Sequence, residues 1–570
     1  MLFKLYHYSF LLEAWSNRVC CQGNEDRMTD PTVATSSEEP GVLERDIPLS
    51  SSMIWRLQRE FYAQRGLKAW TEDLVPSYIT NNPFIAEIYA EIVAGFISDC
   101  MNLPPKDSRP LSPENPLRIL ELGAGTGKFS YLFLLKLARL LQEKRVAPQI
   151  VRYSMADCSE SLLAEWRANR YLAEFVKAGI LEFQLHPAEE EKASPAAANS
   201  IPANPAQQAT GPLVVIANYV FDSLPQDVFT IANGQISEAL VTTRVDARAS
   251  EGAGGLKPGN LQVSFRNVPI SPGRYPDKSW NEILEHYRSR LPAATVLFPS
   301  AALGLLRQLS QSSDGRMLVL AADKGFVRED DLALLQGPPH MEFHASSQCF
   351  SQTVNFDAIT RYFYGLGGDW LLPQKHFSSL NICAFIARPP GDEFPATRKS
   401  YEQALAGFGP DDLFALMSWL NAHLEEVSVV QALALLRLTR WDTTALLRLF
   451  PVIARQLRTV AGERHDLRQA VLNTWANHYP VGPAENLLAF NCGVILLELR
   501  FFAEALPLFK VSEQVLGHTA TTSYNLGLCA LGLGRPSDAL AYMSEACDLD
   551  PDFEPARSSR ARLEKEQAQS

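Results

Sequence analysis

The chain lacks the features of a metalloprotein, a redox protein or a secreted disulfide scaffold. Its nine cysteines are scattered over 570 residues, and the one close pair, Cys20 and Cys21, gives no C-x-x-C zinc or redox spacing. Reduced thiols in an intracellular compartment are the simplest account. Ten histidines show no ligand spacing either. His340 and His344 stand four apart, but Pro338 and Pro339 precede them and no convincing acidic third ligand follows, so the pair reads as loop. No run reaches the roughly 18 consecutive apolar residues of a membrane span. Positive charge is scarce too: a net charge of -12 and a pI near 5.5 leave no electrostatic footprint for nucleic acid.

The first residues, MLFKLYHYSFLLEAW, are apolar but broken by His7 and Glu13, with no small-residue cleavage site behind them, which makes a poor signal peptide. Glu13, Glu25 and Asp26 oppose a mitochondrial presequence, whereas Lys4, Arg18 and Arg27 favour one. The expected location is therefore cytoplasmic, with mitochondrial as the alternative. Residues 1–50 are expected to be a disordered or mis-assigned extension, Met28 being an alternative start.

What the chain does have is concentrated at LRILELGAGTGKFS, Leu117 to Ser130. Leu117 to Leu122 suits a buried parallel strand, and Phe129 to Gln142 suits the helix that follows. Glu121 then lies at the carboxyl end of the strand, where open α/β sheets bind ligands. Gly123, Gly125 and Gly127 form G-x-G-x-G. A dinucleotide fingerprint needs G-x-G-x-x-G and meets Lys128 instead; a P-loop needs a closing G-K-[ST], which is absent. The pattern resembles the first motif of class I S-adenosylmethionine-dependent methyltransferases, [E/D]-x-G-x-G-x-G.

Further strands follow at Ile150–Ala156, Gly179–His186, Pro212–Asn218 and Met317–Ala322. Asp157 closes the second and suits the two ribose hydroxyls of a nucleoside. It can instead cap the next helix, although Ser159 is the better cap. Asn218-Tyr219-Val220-Phe221-Asp222 closes the fourth strand and Asp323 the fifth, so four strand ends converge on one crevice. Asp222 and Asp323 also suit turn caps, and Tyr219 also suits core packing. The signature Pro-Pro-Tyr of adenine methyltransferases is absent.

The order ELGAGTGKF, IANYVFDSLPQDVF, LVLAADKGF and SQTVNFDAITRYFYGLG resembles the MidA-type methyltransferases, which include a mitochondrial complex I assembly factor implicated in protein arginine methylation. VPSYITNNPFIAEIYAEIV, with Tyr78 and Thr80, is similar to that family's N-terminal segment. The resemblance runs from about Ser52 to Ala387. It implies a Rossmann-like, mostly parallel seven-stranded sheet with helices on both faces and S-adenosylmethionine as cofactor. It also implies cofactor contacts from Glu121, Gly123, Gly125, Gly127, Asp157, Asn218 and Thr80, with Asp222 beside the methyl; Tyr219, at the same strand end, is the candidate substrate-facing residue. Two positions depart from the family: Tyr219 replaces its usual glutamate, and Ala124 its frequent proline. Losing that acid weakens the case for arginine as acceptor.

Toward the C-terminus the chain repeats itself. A shift of 34 residues pairs Asn491 with Asn525, Gly493 with Gly527, Ala505 with Ala539, Leu506 with Leu540 and Phe509 with Met543. That is the tetratricopeptide period. The clearest copies are 486–519 and 520–553, with helix-length segments upstream at Asp411–Leu424, Val427–Leu438, Thr443–Val460 and Asp466–His478, and a capping helix at Glu554–Gln569. Ala188–Gly211 and Asp246–Gly259 read as irregular insertions. Asn233-Gly234 signals a two-residue hairpin within Val228–Thr243. With the helix near Ser279–Arg290 it suits a substrate lid at about 228–290.

The expected layout is a methyltransferase domain at 51–390, a linker at 391–410 and an all-α domain at 411–570 resembling tetratricopeptide repeats. The expected activity is methyl transfer to a protein side chain, arginine included, with the helical domain recruiting a protein partner. Alternatives are a small-molecule methyltransferase and a non-catalytic scaffold that keeps the fold.

Overall fold

The computed structural model describes residues 41–570 except 73–77, 104–109, 186–210, 246–260, 336, 338–340, 345–348, 376–378, 461 and 570. His340, nearly all of both irregular insertions and most of the N-terminal extension therefore lie outside the described residues.

Apolar runs build the central sheet. Its strands are β1 Leu117–Leu122, β2 Val151–Asp157, β3 Leu181–Leu185, β4 Leu213–Asn218, β5 Met317–Asp323, β6 Asp369–Leu371 and β7 Asn381–Ala387. Their spatial order is β6-β7-β5-β4-β1-β2-β3. The five from β5 to β3 are parallel, as β4 (LVVIAN) and β5 (MLVLAAD) forecast by being buried nearly throughout. β7 runs antiparallel to β5, and β6 antiparallel to β7, so the sheet is mixed.

A second sheet orders Val42–Ile47, Gln235–Val245, Asp227–Ala232 and Ala293–Phe298, with Leu261–Pro269 also on Gln235–Val245. The hairpin forms where Asn233-Gly234 placed it. Both residues have positive φ (52° and 72°), and Ala232 pairs with Gln235, as a type I′ turn requires. The strand Val42–Ile47 corrects the expectation of disorder through residue 50. Its VLERDI alternates in burial, and its neighbour Leu49 joins Ile54, Trp55, Val228 and Val241 in a small core.

The stretch 391–410 contains a docked helix, Pro395–Leu405. Pro395 opens it, and Asp99 on the helix Pro83–Asn102 supplies the missing cap, accepting from the amides of Ala396 (3.0 Å) and Thr397 (2.8 Å) and from the Thr397 hydroxyl (2.7 Å). Gly95 makes this approach possible, since a Cβ there would lie 2.7 Å from the Ala396 carbonyl.

Helices then continue at Pro410–Ala422, Val429–Leu438, Thr443–Gln456, Arg464–Ala476, Leu488–Glu498, Phe502–Leu516, Ala520–Gly532, Pro536–Leu549 and Glu554–Gln569. The 34-residue repeat has a packing cause. Phe509 lies over Gly493 and Met543 over Gly527, each glycine letting its partner helix seat closely. The two sites differ in compliance, because a Cβ at Gly493 would lie 2.8 Å from a rigid ring and one at Gly527 would lie 2.7 Å from a methionine tip. Gly493→Ala is expected to destabilise by about 1–3 kcal/mol. Gly527→Ala is expected to cost less, since helix propensity returns about 1 kcal/mol and the thioether can yield. Thermal melts of both variants check this ordering.

One apolar core runs without a break from Ile119 and Tyr153 in the sheet through Leu433, Leu449 and Leu496 to Leu526. The helical region is thus built onto the sheet domain. Among the described residues no helix is long and apolar enough to cross a membrane.

Candidate functional site

Strand order reverses between β1 and β4, and open α/β sheets bind ligands at the carboxyl ends of the strands at such a switch point. After Leu122 the chain turns through Gly123, Gly125 and Gly127, at φ 62°, 53° and 77°. Side chains rarely adopt that backbone, so the three glycines are required by the bend itself. A Cβ at Gly123 would meet the Val220 side chain at 3.3 Å, which sets the turn opposite the loop after β4. One at Gly125 would meet the Trp70 ring at 3.2 Å. Trp70 and its stacked neighbour Tyr62 therefore wall the turn from outside the sheet.

Asp157 sits against the same bend. Its Oδ2 accepts from the Gly125 amide (3.1 Å) and its Oδ1 from the Cys158 amide (2.8 Å), while the Trp166 indole donates to the Gly125 carbonyl (2.9 Å). Burial raises its pKa, and the amides of Gly125, Cys158 and Ser159 pull it back. Ser159 occupies the N-cap position of Glu160–Ala168 without a side-chain cap bond, so the carboxylate of Asp157 satisfies the amides there.

Glu121 is oriented differently from the expectation that it meets the methionine end. Its Oε2 accepts from the Tyr153 hydroxyl (2.7 Å) and the Ser130 hydroxyl, which ties β1 to β2 and to the first turn of Lys128–Glu143. Burial pushes its carboxyl up to about 7, against the pull of Ser130 and Tyr153. Between pH 4.5 and about 7 the folded chain keeps a proton that the unfolded chain has released, so stability falls as pH rises through that window. Glu121→Gln removes this slope. Its melting temperature relative to wild type should climb from pH 4.5 to about 7 and then level off; a flat difference contradicts the assignment.

At the end of β4, Asn218 Oδ1 accepts from the Tyr89 hydroxyl (2.7 Å), and Thr80 is buried in the turn leading into Tyr89's helix. Tyr219 carries a positive φ of 53°, rare for a bulky residue, with its amide on the Ala322 carbonyl (2.8 Å) and its hydroxyl donating to the Ser379 carbonyl (3.3 Å). Asp222 accepts from Ser223 (2.9 Å). Asp323 is fully buried and accepts from the Phe221 amide (3.1 Å), so it works as a cap for this turn. Burial and the nearby Asp222 raise its pKa well above the usual carboxylate range. With its hydroxyl engaged and its pKa raised by burial, Tyr219 is poorly placed as a base. Tyr219→Phe is expected to keep turnover within about threefold of wild type, the loss of one modest hydrogen bond, in a methyl-transfer assay.

Gly125 and Asp157 thus meet at one bend, Gly123 faces the loop holding Tyr219 and Asp222, and Glu121 is turned to Tyr153 and Ser130. Trp70, Tyr89, Ser130 and Tyr153 were not anticipated from sequence, because nothing local marks an aromatic residue as the partner of a distant carboxylate. The cradle fits S-adenosylmethionine: its floor is a turn with glycine at three alternate left-handed positions, and an acid bonded to that turn stands at the neighbouring strand end.

Residues 107–352 match the family model described as S-adenosyl-L-methionine-dependent methyltransferase. No curated protein matches the chain. Among solved structures, an uncharacterized protein from Burkholderia thailandensis is 16% identical, covers 61% of this chain and 87% of its own, and has a TM-score of 0.37. A second member of the same superfamily from that organism, bound to S-adenosyl-homocysteine, is 15% identical, covers 64% and 84%, and has a TM-score of 0.36. MamA from Desulfovibrio magneticus is 18% identical over 28% of this chain and 98% of its own, with a TM-score of 0.21. The chain is a methyltransferase, and its cofactor is S-adenosylmethionine.

Proposed function

We propose that this chain transfers a methyl group to a protein side chain, in the manner of the MidA-type enzymes it resembles. The observation that supports the cofactor part of this reading is the bond from the Gly125 amide to Asp157, the two residues we assign to the nucleoside site. When bound, S-adenosylmethionine supplies a methyl activated on a sulfonium, so the protein's share is positioning and exclusion of water. Asp157 is assigned to the ribose hydroxyls, and the bend Gly123–Gly127 to the methionine end. Asn218, held by Tyr89, and the buried Thr80 line the approach. Glu121 supports the bend through Ser130 and Tyr153.

Asp222 and the strained turn at Tyr219 are assigned to the acceptor side. A carboxylate there suits a cationic or hydrogen-bond-donating side chain, arginine among them. The paired helices from Leu488 to Leu549 fit tetratricopeptide repeats in period and in their glycine-to-large-residue seats, and such arrays present surfaces to peptides. We assign them to holding the protein that carries the acceptor, in an intracellular compartment. Cell extract separated into protein and metabolite fractions and incubated with enzyme and methyl-labelled cofactor tests this. Label is expected in the protein fraction, and label confined to metabolites would refute a protein acceptor.

A further inference from the structure

The bend Gly123–Gly127 is gripped from its far side by the helical domain. Lys128, the residue after Gly127, is buried and pairs with buried Glu485 at 2.5 Å. Glu485 in turn accepts from the Thr443 hydroxyl (3.2 Å) and the Val481 amide (2.7 Å). Burial alone would raise its carboxyl, but the Lys128 ammonium, the Val481 amide and the Thr443 hydroxyl together hold it below the usual range. Tyr479 donates to the Thr126 carbonyl inside the bend (2.9 Å), accepts from the Asn169 amide group (2.9 Å) and packs on Tyr131 and Tyr171. A Cβ at Gly127 would meet its hydroxyl at 2.9 Å. A second tie joins Tyr78 to Asp442 (3.1 Å), two residues before Thr80.

We infer that Tyr479 and Glu485 are positioning residues for the cofactor: by fixing Thr126 and Lys128 on either side of Gly127, the helical domain sets the shape of the bend and hence cofactor affinity. The inference rests on the reading that this bend binds S-adenosylmethionine. Its physical basis is that glycine at three left-handed positions offers little resistance to other backbone conformations, so external contacts must hold the turn.

The test uses the full chain, titrated calorimetrically with S-adenosylhomocysteine, as wild type, Tyr479→Phe, Glu485→Gln and Asp157→Ala. Melting curves without ligand and backbone amide exchange at 477–485 with and without ligand accompany the titrations. Tyr479→Phe keeps the ring and removes the hydroxyl, so it remains informative if Glu485→Gln fails to fold. The expected results are roughly fivefold or greater weakening in Tyr479→Phe, and ligand-induced slowing of exchange at 477–485 in wild type, since coupling is reciprocal. Wild-type affinity in Tyr479→Phe, with exchange at 477–485 indifferent to ligand, would overturn the inference while leaving the site reading intact if Asp157→Ala still binds poorly. Wild-type affinity in Asp157→Ala would overturn the site reading, and the inference with it.

Discussion

Asp157→Ala is expected to lower affinity for S-adenosylhomocysteine by about a hundredfold or more, with Gly125→Val at least as damaging. The aspartate is assigned two ribose hydroxyls, and hydrogen bonds to a charged group are worth about 1.5–3 kcal/mol each, so together they exceed the roughly 2.7 kcal/mol that a hundredfold represents. The carboxylate also orders the bend through the Gly125 and Cys158 amides, which the alanine would leave without their acceptor. In Gly125→Val a branched side chain is forced into φ 53° and toward the Trp70 ring, so the bend itself must change. Calorimetric titration gives both numbers. Affinity within threefold of wild type in both variants would remove the cofactor from this bend.

A chain ending at Gly409 is expected to lose cooperative folding rather than yield a free methyltransferase domain. Removing the helices would strip Tyr131 and Tyr171 of Tyr479, Tyr78 of Asp442, and Lys128 of Glu485. Re-exposing three half-buried tyrosines costs up to about 1.5–3 kcal/mol each, a large share of the roughly 5–15 kcal/mol stability of a typical domain. Helices 410–570 alone would expose the other side of the same core. Calorimetric melting of the two pieces against the full chain checks this. A sharp transition from the piece ending at Gly409, within about 5 °C of the full chain's, would show independence.

What was legible in the sequence was local. Of the five parallel strands, β1, β4 and β5 could be read as apolar runs short enough for a strand, and β2 and β3 from their spacing after β1 and the turn residues that bound them. The bend could be read because three glycines at alternate positions follow an acid. Asn233-Gly234 gave its hairpin because only a type I′ turn wants two such residues together. β6 and β7 were missed; β7 is as apolar as β5 but pairs antiparallel with both β5 and β6, so it closes no parallel strand-helix-strand unit.

What was not legible depends on partners far apart in the chain. Pro395–Leu405 read as connector because its cap, Asp99, comes from another helix some three hundred residues away. Glu121 read as a ligand-facing acid because no pattern reveals that Tyr153 and Ser130 would claim it. Lys128 read merely as the residue that breaks a dinucleotide motif. Its partner Glu485 lies 357 residues on, in a helical region that read as a separate module.

The most direct measurement is a crystal structure of the full chain with S-adenosylhomocysteine bound. The account predicts ribose hydroxyls within about 2.7–3.2 Å of the Asp157 carboxylate and the amino-acid end lying along Gly123 to Gly125. A nucleoside bound elsewhere, with Asp157 still turned only to the amides of Gly125 and Cys158, would contradict it.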